Sequence, residues 1–272
     1  MKDIADAFRN PDREAITDLV RCLDLINASP ELSAYKEHAW RALKIMPGQT
    51  ILDVACGVGV DLATLARQRP ETCFFGVDLS RKFLDIAIRR AAGLTNLNFL
   101  GGDAMRLPFA NASFDAIRID RALQHIADPA GAIAEMRRVA RPGARIVATE
   151  PDWGSFVLNN GDVETSARLA QIFRESIRNP CLARQIGVLF DSVGLEGISY
   201  APHCLFLRDF GSANVIYDLD RVLAQSVALE IVDAAAAQNW RAQAEKASET
   251  GCFVASLTIF ECVGRAKGPV AS

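Results

Sequence analysis

Two patterns of apolar and polar residues alternate along this chain. One has the spacing of an α-helix and the other is a short apolar run typical of a buried strand, so the changes between them predict where helices and strands lie. Between residues 16 and 45, apolar side chains recur with the spacing of an α-helix, which predicts amphipathic helices. Pro30 follows a short polar run and begins the second of these helices. Pro47-Gly48 then turns the chain toward a short apolar run, which predicts a buried strand.

The middle of the chain alternates apolar runs with helical segments. Strands are predicted near residues 50–55, 73–77, 97–100, 114–119 and 144–149, and helices near 60–68, 80–92 and 129–140. Asp128 before Pro129 is typical of a helix start. Such alternation predicts an α/β fold, with a mostly parallel sheet and helices on both faces.

After residue 150 helical segments dominate. Residues 160–178, 182–193 and 211–249 have helical patterns, whereas 196–207 and 252–263 are predicted as strands. We therefore divide the chain into an N-terminal helical cap segment (1–46), a ligand-binding core (47–150) and a last part (151–272). In that last part, helical insertions at about 151–180 and 211–249 are expected to cover the substrate side.

The turn after the first predicted strand is the most informative segment. The strand ends in Asp53, and Gly57 and Gly59 lead directly into a helix. This arrangement brings backbone close to a ligand at the carboxyl edge of a sheet. Leu62 stands where a dinucleotide fingerprint has its third glycine, so a pyrophosphate-binding turn is not predicted.

Acidic residues follow the next two strands. Asp78 ends the second strand, where a carboxylate suits the two hydroxyls of a ribose. Asp103 follows the third strand and precedes Ala104 and Met105, a combination that suits the amino group and the ring of adenine. As alternatives, Asp78 caps the next helix and Asp103 stabilises a loop.

In this order, the three segments resemble the class I S-adenosylmethionine-dependent methyltransferases. Residues 107–116 and 141–147 are similar to the branch that includes the ubiquinone and menaquinone C-methyltransferases. The resemblance covers roughly residues 35–150. It implies a Rossmann-like, doubly wound, seven-stranded sheet whose last strand, Phe253–Val263, is antiparallel, with helical cap segments added.

The resemblance also implies a set of cofactor contacts. The methionine end of S-adenosylmethionine would lie against Asp53, the glycine turn and Tyr35, the ribose against Asp78, and the adenine against Leu79 and the segment after the third strand. The implied residues are Tyr35, Asp53, Ala55, Gly57, Gly59, Asp78, Leu79, Asp103, Ala104 and Met105. For Tyr35, packing in the core is the competing interpretation.

Catalytic and substrate residues are predicted after the fourth and fifth strands. His125 is a candidate general base, and Arg121 either holds a carboxylate or pairs with Asp120. Methyl transfer is an in-line displacement, so orientation supplies most of the catalysis. Substrate contacts are predicted at Glu150, Trp153, Arg184 and His203. Structural roles compete here too, with His125 bonded to a loop and Trp153 anchoring the cap.

Composition narrows the classes of partner. The net charge of −3 gives no reason to expect nucleic acid, and no apolar stretch is long enough to span a membrane. The seven cysteines include no Cys-x-x-Cys pair, so neither a disulfide framework nor a metal site is predicted. We expect a cytoplasmic monomer or homodimer acting on a small molecule.

The resemblance implies methyl transfer with S-adenosylhomocysteine as product, and the added helical segments favour a small, largely apolar acceptor, either a secondary metabolite or quinone-like. Carbon, nitrogen and oxygen remain possible methyl acceptors. Two alternatives keep the cofactor site: isomerisation or cyclisation, and a non-catalytic cofactor-binding protein. A nicotinamide oxidoreductase is disfavoured by Leu62.

Overall fold

The computed structural model describes residues 16–268. Its strands are β1 (Thr50–Val54), β2 (Cys73–Asp78), β3 (Leu97–Gly101), β4 (Phe114–Asp120), β5 (Ala140–Asn159), β6 (Leu195–Leu207) and β7 (Val254–Ala266). Its α-helices are α1 (Ile16–Ala28), α2 (Pro30–Ala42), α3 (Val60–Gln68), α4 (Arg81–Arg90), α5 (Pro129–Val139), α6 (Val163–Ser176), α7 (Ile186–Ser192), α8 (Phe210–Tyr217), α9 (Leu219–Ala228) and α10 (Ala234–Glu249). Short 3₁₀ helices span Leu123–His125 and Leu182–Gln185.

The described strands form one seven-stranded sheet in the order β3-β2-β1-β4-β5-β7-β6. The pairs from β3 through β5 are parallel, whereas β7 is antiparallel to both of its neighbours. The predicted doubly wound fold with an antiparallel last strand is therefore confirmed. Parallel pairing brings the carboxyl ends of β1, β2 and β4 to one edge, where the acidic residues and the glycine turn meet.

Helices cover both faces of the sheet, as the continuous apolar strands require. Successive residues Ile51 and Leu52 of β1 have no exposed surface, because each faces a different helical layer. On one side Trp40 of α2 and Leu62 of α3 belong to the core that covers β1. On the other side Met136 of α5 packs in a second cluster, against β4 and β5. These two layers fix the edge on which the site is built.

The fifth strand is longer than predicted, and the helix expected from about residue 151 is wrong for its first part. β5 continues to Asn159, and α6 begins only at Val163. The reason is long-range pairing, which runs from Arg145 opposite Arg265 to Asn159 opposite Val254, with an irregularity between Asp152 and Val157. β7 supplies hydrogen-bond partners to this backbone, and no local pattern in residues 151–159 records them.

The extended ends of β5, β6 and β7 carry a third hydrophobic cluster, under the cap helices. Trp153, Phe173, Tyr217, Trp240 and Phe253 all belong to this cluster, which also receives residues of α1 and α2. The helical stretch predicted at 211–249 is divided among α8, α9 and α10. The domain division at residues 46 and 150 stays a prediction, and residues 1–15 of the predicted cap segment lie outside the described part. Within the described residues, no helix combines the length and the apolar character needed to cross a membrane.

Candidate active site

The glycine turn after β1 adopts a backbone that side chains disfavour. Ala55, Gly57 and Gly59 have φ angles of 55°, 55° and 68°, in the left-handed region. A Cβ atom at Gly59 would lie 2.6 Å from the Phe99 ring and 2.8 Å from Ala87 Cβ. Glycine at this position therefore allows α3 to start close to β3 and α4.

Asp78 connects this turn to the end of β2. Its Oδ2 accepts a hydrogen bond of 2.8 Å from the Gly57 amide, and its Oδ1 accepts one of 2.8 Å from the Ser80 amide. Ser80, and not Asp78, caps α4, because its hydroxyl accepts from the Phe83 amide. The alternative of Asp78 as the helix cap is therefore wrong. Beside it, the side chain of Leu79 is 68% exposed and lies at the rim of the main cavity.

The segment after β3 contributes the opposite wall. Asp103 Oδ1 accepts a hydrogen bond of 2.9 Å from the Met105 amide, which holds the loop closed. Asp103, Ala104 and Met105 nevertheless all line the same cavity as Asp78. The loop-stabilising and cavity-lining interpretations of Asp103 hold together.

These residues open into one cavity of about 460 Å³, a volume typical of small-molecule sites. It continues from the carboxyl edge of the sheet into an apolar chamber beneath the cap. The predicted residues that line it are Ala55, Gly57, Asp78, Leu79, Asp103, Ala104, Met105, Arg121, His125 and Trp153. The chamber adds Cys22, Ile26, Leu32, Phe173, Ile177, Leu205, Ile216, Tyr217, Leu257 and Ile259.

A smaller cavity of about 60 Å³ lies beside the glycine turn and is surrounded by charges. Arg118 lines this cavity, and its guanidinium lies 3.0 Å from Asp120, 3.1 Å from Asp61 and 3.4 Å from Asp53. Lys36 Nζ is 3.0 Å from Asp61. These cations and carboxylates stabilise each other where an isolated buried charge would be costly. We call them the charged cluster: Lys36, Asp53, Asp61, Arg118 and Asp120.

Burial acts in the same direction on all three carboxyls, but the neighbouring cations outweigh it at only two of them. Burial raises the pKa of Asp53 to about 7, against the opposing effect of Arg118. Burial acts in the same direction on Asp61, but Lys36 and Arg118 outweigh it and lower the pKa of that carboxyl. The pKa of Asp120 is also lowered, because Arg118 and Arg121 outweigh burial.

The small cavity has the donors and acceptors that a zwitterionic amino acid requires. Nε of Arg118 and Nε of Arg121 are buried, and neither has a hydrogen-bond partner among residues 16–268. Asp53 lines the same small cavity, together with Ala55 and Gly57 of the turn. The residues present therefore fit the methionine end of S-adenosylmethionine, whose ammonium and carboxylate need opposite partners.

The loop after β4 is held from below by Glu150. The Glu150 carboxylate accepts hydrogen bonds of 2.8 Å from the Ala122 amide, 2.7 Å from the Leu123 amide and 3.4 Å from the Gln124 amide. Burial raises the pKa of Glu150 to about 8. Glu150 is not among the cavity-lining residues, so its place in the structure is to support the loop that carries Arg121 and His125.

Trp153 joins the cap to that loop and also lines the chamber. Its Nε1 donates a hydrogen bond of 2.5 Å to Gln124 Oε1, and its ring centroid lies 4.8 Å from that of Phe173 and 6.1 Å from that of Tyr217. The anchoring interpretation and the substrate-wall interpretation are therefore compatible for this residue.

Three other predicted site residues lie away from both cavities. The Tyr35 hydroxyl donates to Asp120 Oδ2 at 3.2 Å, and so holds a carboxylate of the charged cluster. Arg184 is half exposed and binds Asp152 at 2.8 Å. His203 lies 3.4 Å from Glu261, on the sheet face covered by α2.

Sequence reasoning missed most of the chamber and of the charged cluster. Arg118 gave one usable signal, since a charged residue between Ile117 and Ile119 is unusual in a buried strand. The chamber residues gave none, because α1, α6 and α8 bring them together from distant parts of the chain.

Comparison with known proteins identifies the family of this chain. A family model described as a methyltransferase domain matches residues 45–197, more than half of the chain. The chain is 35% identical over 254 residues to an uncharacterized 37.1 kDa protein in a transposon of Streptomyces fradiae, covering 93% of this chain and 72% of that one. It is 32% identical over 203 residues to a demethylmenaquinone methyltransferase of Beutenbergia cavernae, covering 67% of this chain and 82% of the relative.

Among solved structures, the crystal structure of the cyclase SpnF matches with a TM-score of 0.56 and 21% identity, over 87% of this chain and 82% of that one. At this identity the likeness shows the fold alone. The family match and the relatives carry the assignment further: this chain belongs to the methyltransferase-domain family and is a class I S-adenosylmethionine-dependent methyltransferase that resembles the menaquinone methyltransferases.

Proposed function

We propose that this enzyme methylates a small, largely apolar, quinone-like or other secondary-metabolite ring inside the chamber. The observation that carries this proposal is the continuity of the 460 Å³ cavity, which joins the carboxylates of Asp78 and Asp103 to the aromatic cluster under the cap. In such a cavity one end binds the cofactor and the other binds the acceptor. A largely apolar chamber beneath a helical cap suits a small ring better than a protein or nucleic-acid surface.

The two halves of the site divide the work of binding. Asp78 would bind the ribose, Leu79 and Asp103–Met105 the adenine, and Asp53 with the glycine turn the methionine end. When bound, S-adenosylmethionine supplies a methyl group on a positively charged sulfur. The protein holds the acceptor in line with that group and keeps water out of the chamber.

Two polar groups in the chamber favour an acceptor that carries oxygen. The Tyr217 hydroxyl is buried and has no hydrogen-bond partner within the described part of the chain. Burial raises the pKa of Tyr217, so this hydroxyl stays a donor at neutral pH. Arg121, on the same cavity, supplies a positive charge that stabilises a phenolate or hydroquinone oxygen.

His125 is our candidate for the general base. Its imidazole belongs to the cavity wall next to Arg121 and Gln124, and imidazole accepts protons near neutral pH. In this proposal His125 removes the proton that the acceptor loses, while Arg121 orients the acceptor. The cytoplasmic location and the monomeric or dimeric state stay predictions.

Methyl-labelled S-adenosylmethionine and a panel of reduced naphthoquinones, phenols and amines would test this proposal, with product detection by mass spectrometry. We expect label on a phenol or hydroquinone, and S-adenosylhomocysteine in equal amount. Substrate conversion without cofactor consumption would instead indicate isomerisation or cyclisation. Labelling of amines only would contradict the quinone-like assignment.

Variants separate the two halves of the site. Asp78→Ala removes a charged hydrogen-bond acceptor worth about 1.5–3 kcal/mol, so we expect cofactor affinity to fall roughly tenfold to hundredfold. Asp85→Ala, at an exposed site on α4, is the matched control. Tyr217→Phe should raise the KM of the acceptor while cofactor affinity is unchanged. An unaltered acceptor KM would contradict the proposed contact with oxygen.

A further inference from the structure

A cluster of two histidines and one glutamate lies on the sheet face that α2 covers. His38 is on α2, His203 on β6 and Glu261 on β7. The Nδ1 atom of His38 is 2.7 Å from Glu261 Oε2, and Nε2 of His203 is 3.4 Å from the same oxygen. All three ligand atoms lie within 4.8 Å of one another. None of these residues lines either cavity described above.

The hydrogen bonds among His38, His203 and Glu261 do not pair all of their buried polar atoms. The Glu261 side chain is only 2% exposed, so its charge needs a partner. His203 Nε2 is buried, and among residues 16–268 it has no hydrogen-bond partner, although it faces the carboxylate. Two imidazole nitrogens thus converge on one oxygen, and a single cation between them would satisfy all three groups.

We propose that His38, His203 and Glu261 bind a divalent transition-metal ion of the zinc class. Two imidazoles and one carboxylate are a donor set used for Zn²⁺, while Mg²⁺ and Ca²⁺ prefer oxygen atoms alone. His38 is 53% exposed, which gives an ion access from solvent and leaves a coordination position for water. The sequence predicted no metal site, because no two of these residues are close in the chain.

The proposed metal site lies between helix α2 and the strands β6 and β7. A metal ion would connect α2 directly to β6 and β7. From the same helix, Tyr35 and Lys36 bind Asp120 and Asp61 in the charged cluster beside the glycine turn. Ion binding would therefore fix the helix that supports the cofactor end of the active site, although none of the three metal-binding residues lines either cavity.

Metal titration of the chelator-treated protein would test this proposal, with calorimetry for Zn²⁺ and absorption spectroscopy for Co²⁺. We expect one ion per chain, a rise in Tm on addition of zinc, and a cobalt spectrum without thiolate absorption. His38→Ala and His203→Ala should each weaken zinc binding at least tenfold. Glu261→Gln keeps the shape of the side chain and should also weaken it.

The control is His125→Ala, which removes the remaining histidine of the chain and should leave zinc affinity unchanged. His38 is at the surface, so its variant is expected to fold even if the His203 variant does not. Stoichiometric binding that persists in both variants would overturn the proposal. Thiolate absorption in the cobalt spectrum would also overturn it, because cysteine would then hold the ion. A Tm that does not change with zinc would show that hydrogen bonds alone hold the three residues together.

Discussion

Glu150 is the residue that most directly holds the loop after β4 in place. Its carboxylate accepts hydrogen bonds from consecutive backbone amides of residues 122–124, next to Arg121, whose φ is 51°. A backbone in this left-handed region costs free energy for any residue other than glycine. Glu150 offsets this cost by pairing amides that would otherwise be buried without acceptors.

We expect Glu150 to make stability depend on pH. Its pKa is raised from 4.5 to about 8 by burial, so between these values the folded state holds more protons than the unfolded state. Stability is then lost as pH rises through this window, by about 1.4 kcal/mol for each unit of pKa difference. Glu150→Gln keeps an acceptor oxygen but cannot titrate, so its free energy of unfolding should fall less than that of the wild type between pH 5 and 9.

Chemical denaturation at several pH values would measure this difference. Glu71→Gln, at an exposed position, is the control and should follow the wild type. Parallel curves for wild type and Glu150→Gln would show that Glu150 does not titrate in this range.

At the scale of elements, the turn between β1 and α3 determines how closely α3 packs against the strands and helix beside it. Gly57 donates to Asp78 across the turn, and Gly59 allows the first turn of α3 to meet Phe99 and Ala87. The turn therefore couples the start of α3 to the ends of β2 and β3. One added methyl group would force these elements apart.

Gly59→Ala compared with Gly143→Ala isolates this packing effect. Both glycines have positive φ angles, of 68° and 84°, but a Cβ at Gly143 meets nothing within 4 Å. We expect about 1–2 kcal/mol of backbone strain in each variant and a further 1–3 kcal/mol from overpacking in Gly59→Ala alone. Urea denaturation measures both, and equal losses of stability would contradict the close approach at Gly59.

At the scale of the whole molecule, the sheet edge and the cap helices border one cavity. Helix α1 lies against both the chamber and the glycine turn. Cys22 and Ile26 of α1 line the chamber, while Leu23 Cδ1 lies 3.8 Å from the position of a Cβ at Gly57. In the proposed function the cofactor binds at the glycine turn, so we expect its binding to change the stability of α1. By contrast, α10 contributes none of the residues that line the cavity.

Hydrogen exchange with and without S-adenosylhomocysteine would detect this coupling. We expect slower exchange in the Gly57–Gly59 turn and in α1, because a bound ligand lowers the population of open states. Exchange in α10 should be unchanged. Protection of the turn without protection of α1 would show that the cap does not respond to the cofactor.

The positions of the strands from β1 to β4, the glycine turn and the acids after β2 and β3 could all be predicted from sequence. Each depends on neighbouring residues: an apolar run sets a strand, and glycines or an acid at its end set the turn. Since parallel strands share one carboxyl edge, these local signals also placed Asp78 and Asp103 near the glycine turn.

Only the tertiary structure decided four other features. They are the length of β5, the charged cluster around Arg118, the chamber, and the group formed by His38, His203 and Glu261. Their partners lie on strands and helices far apart in the chain, and no spacing between neighbours records such a meeting. The sequence by itself determined where a cofactor edge would form. Long-range pairing of β5 with β7 and packing of α1 and α8 above it determined the space in which an acceptor can lie.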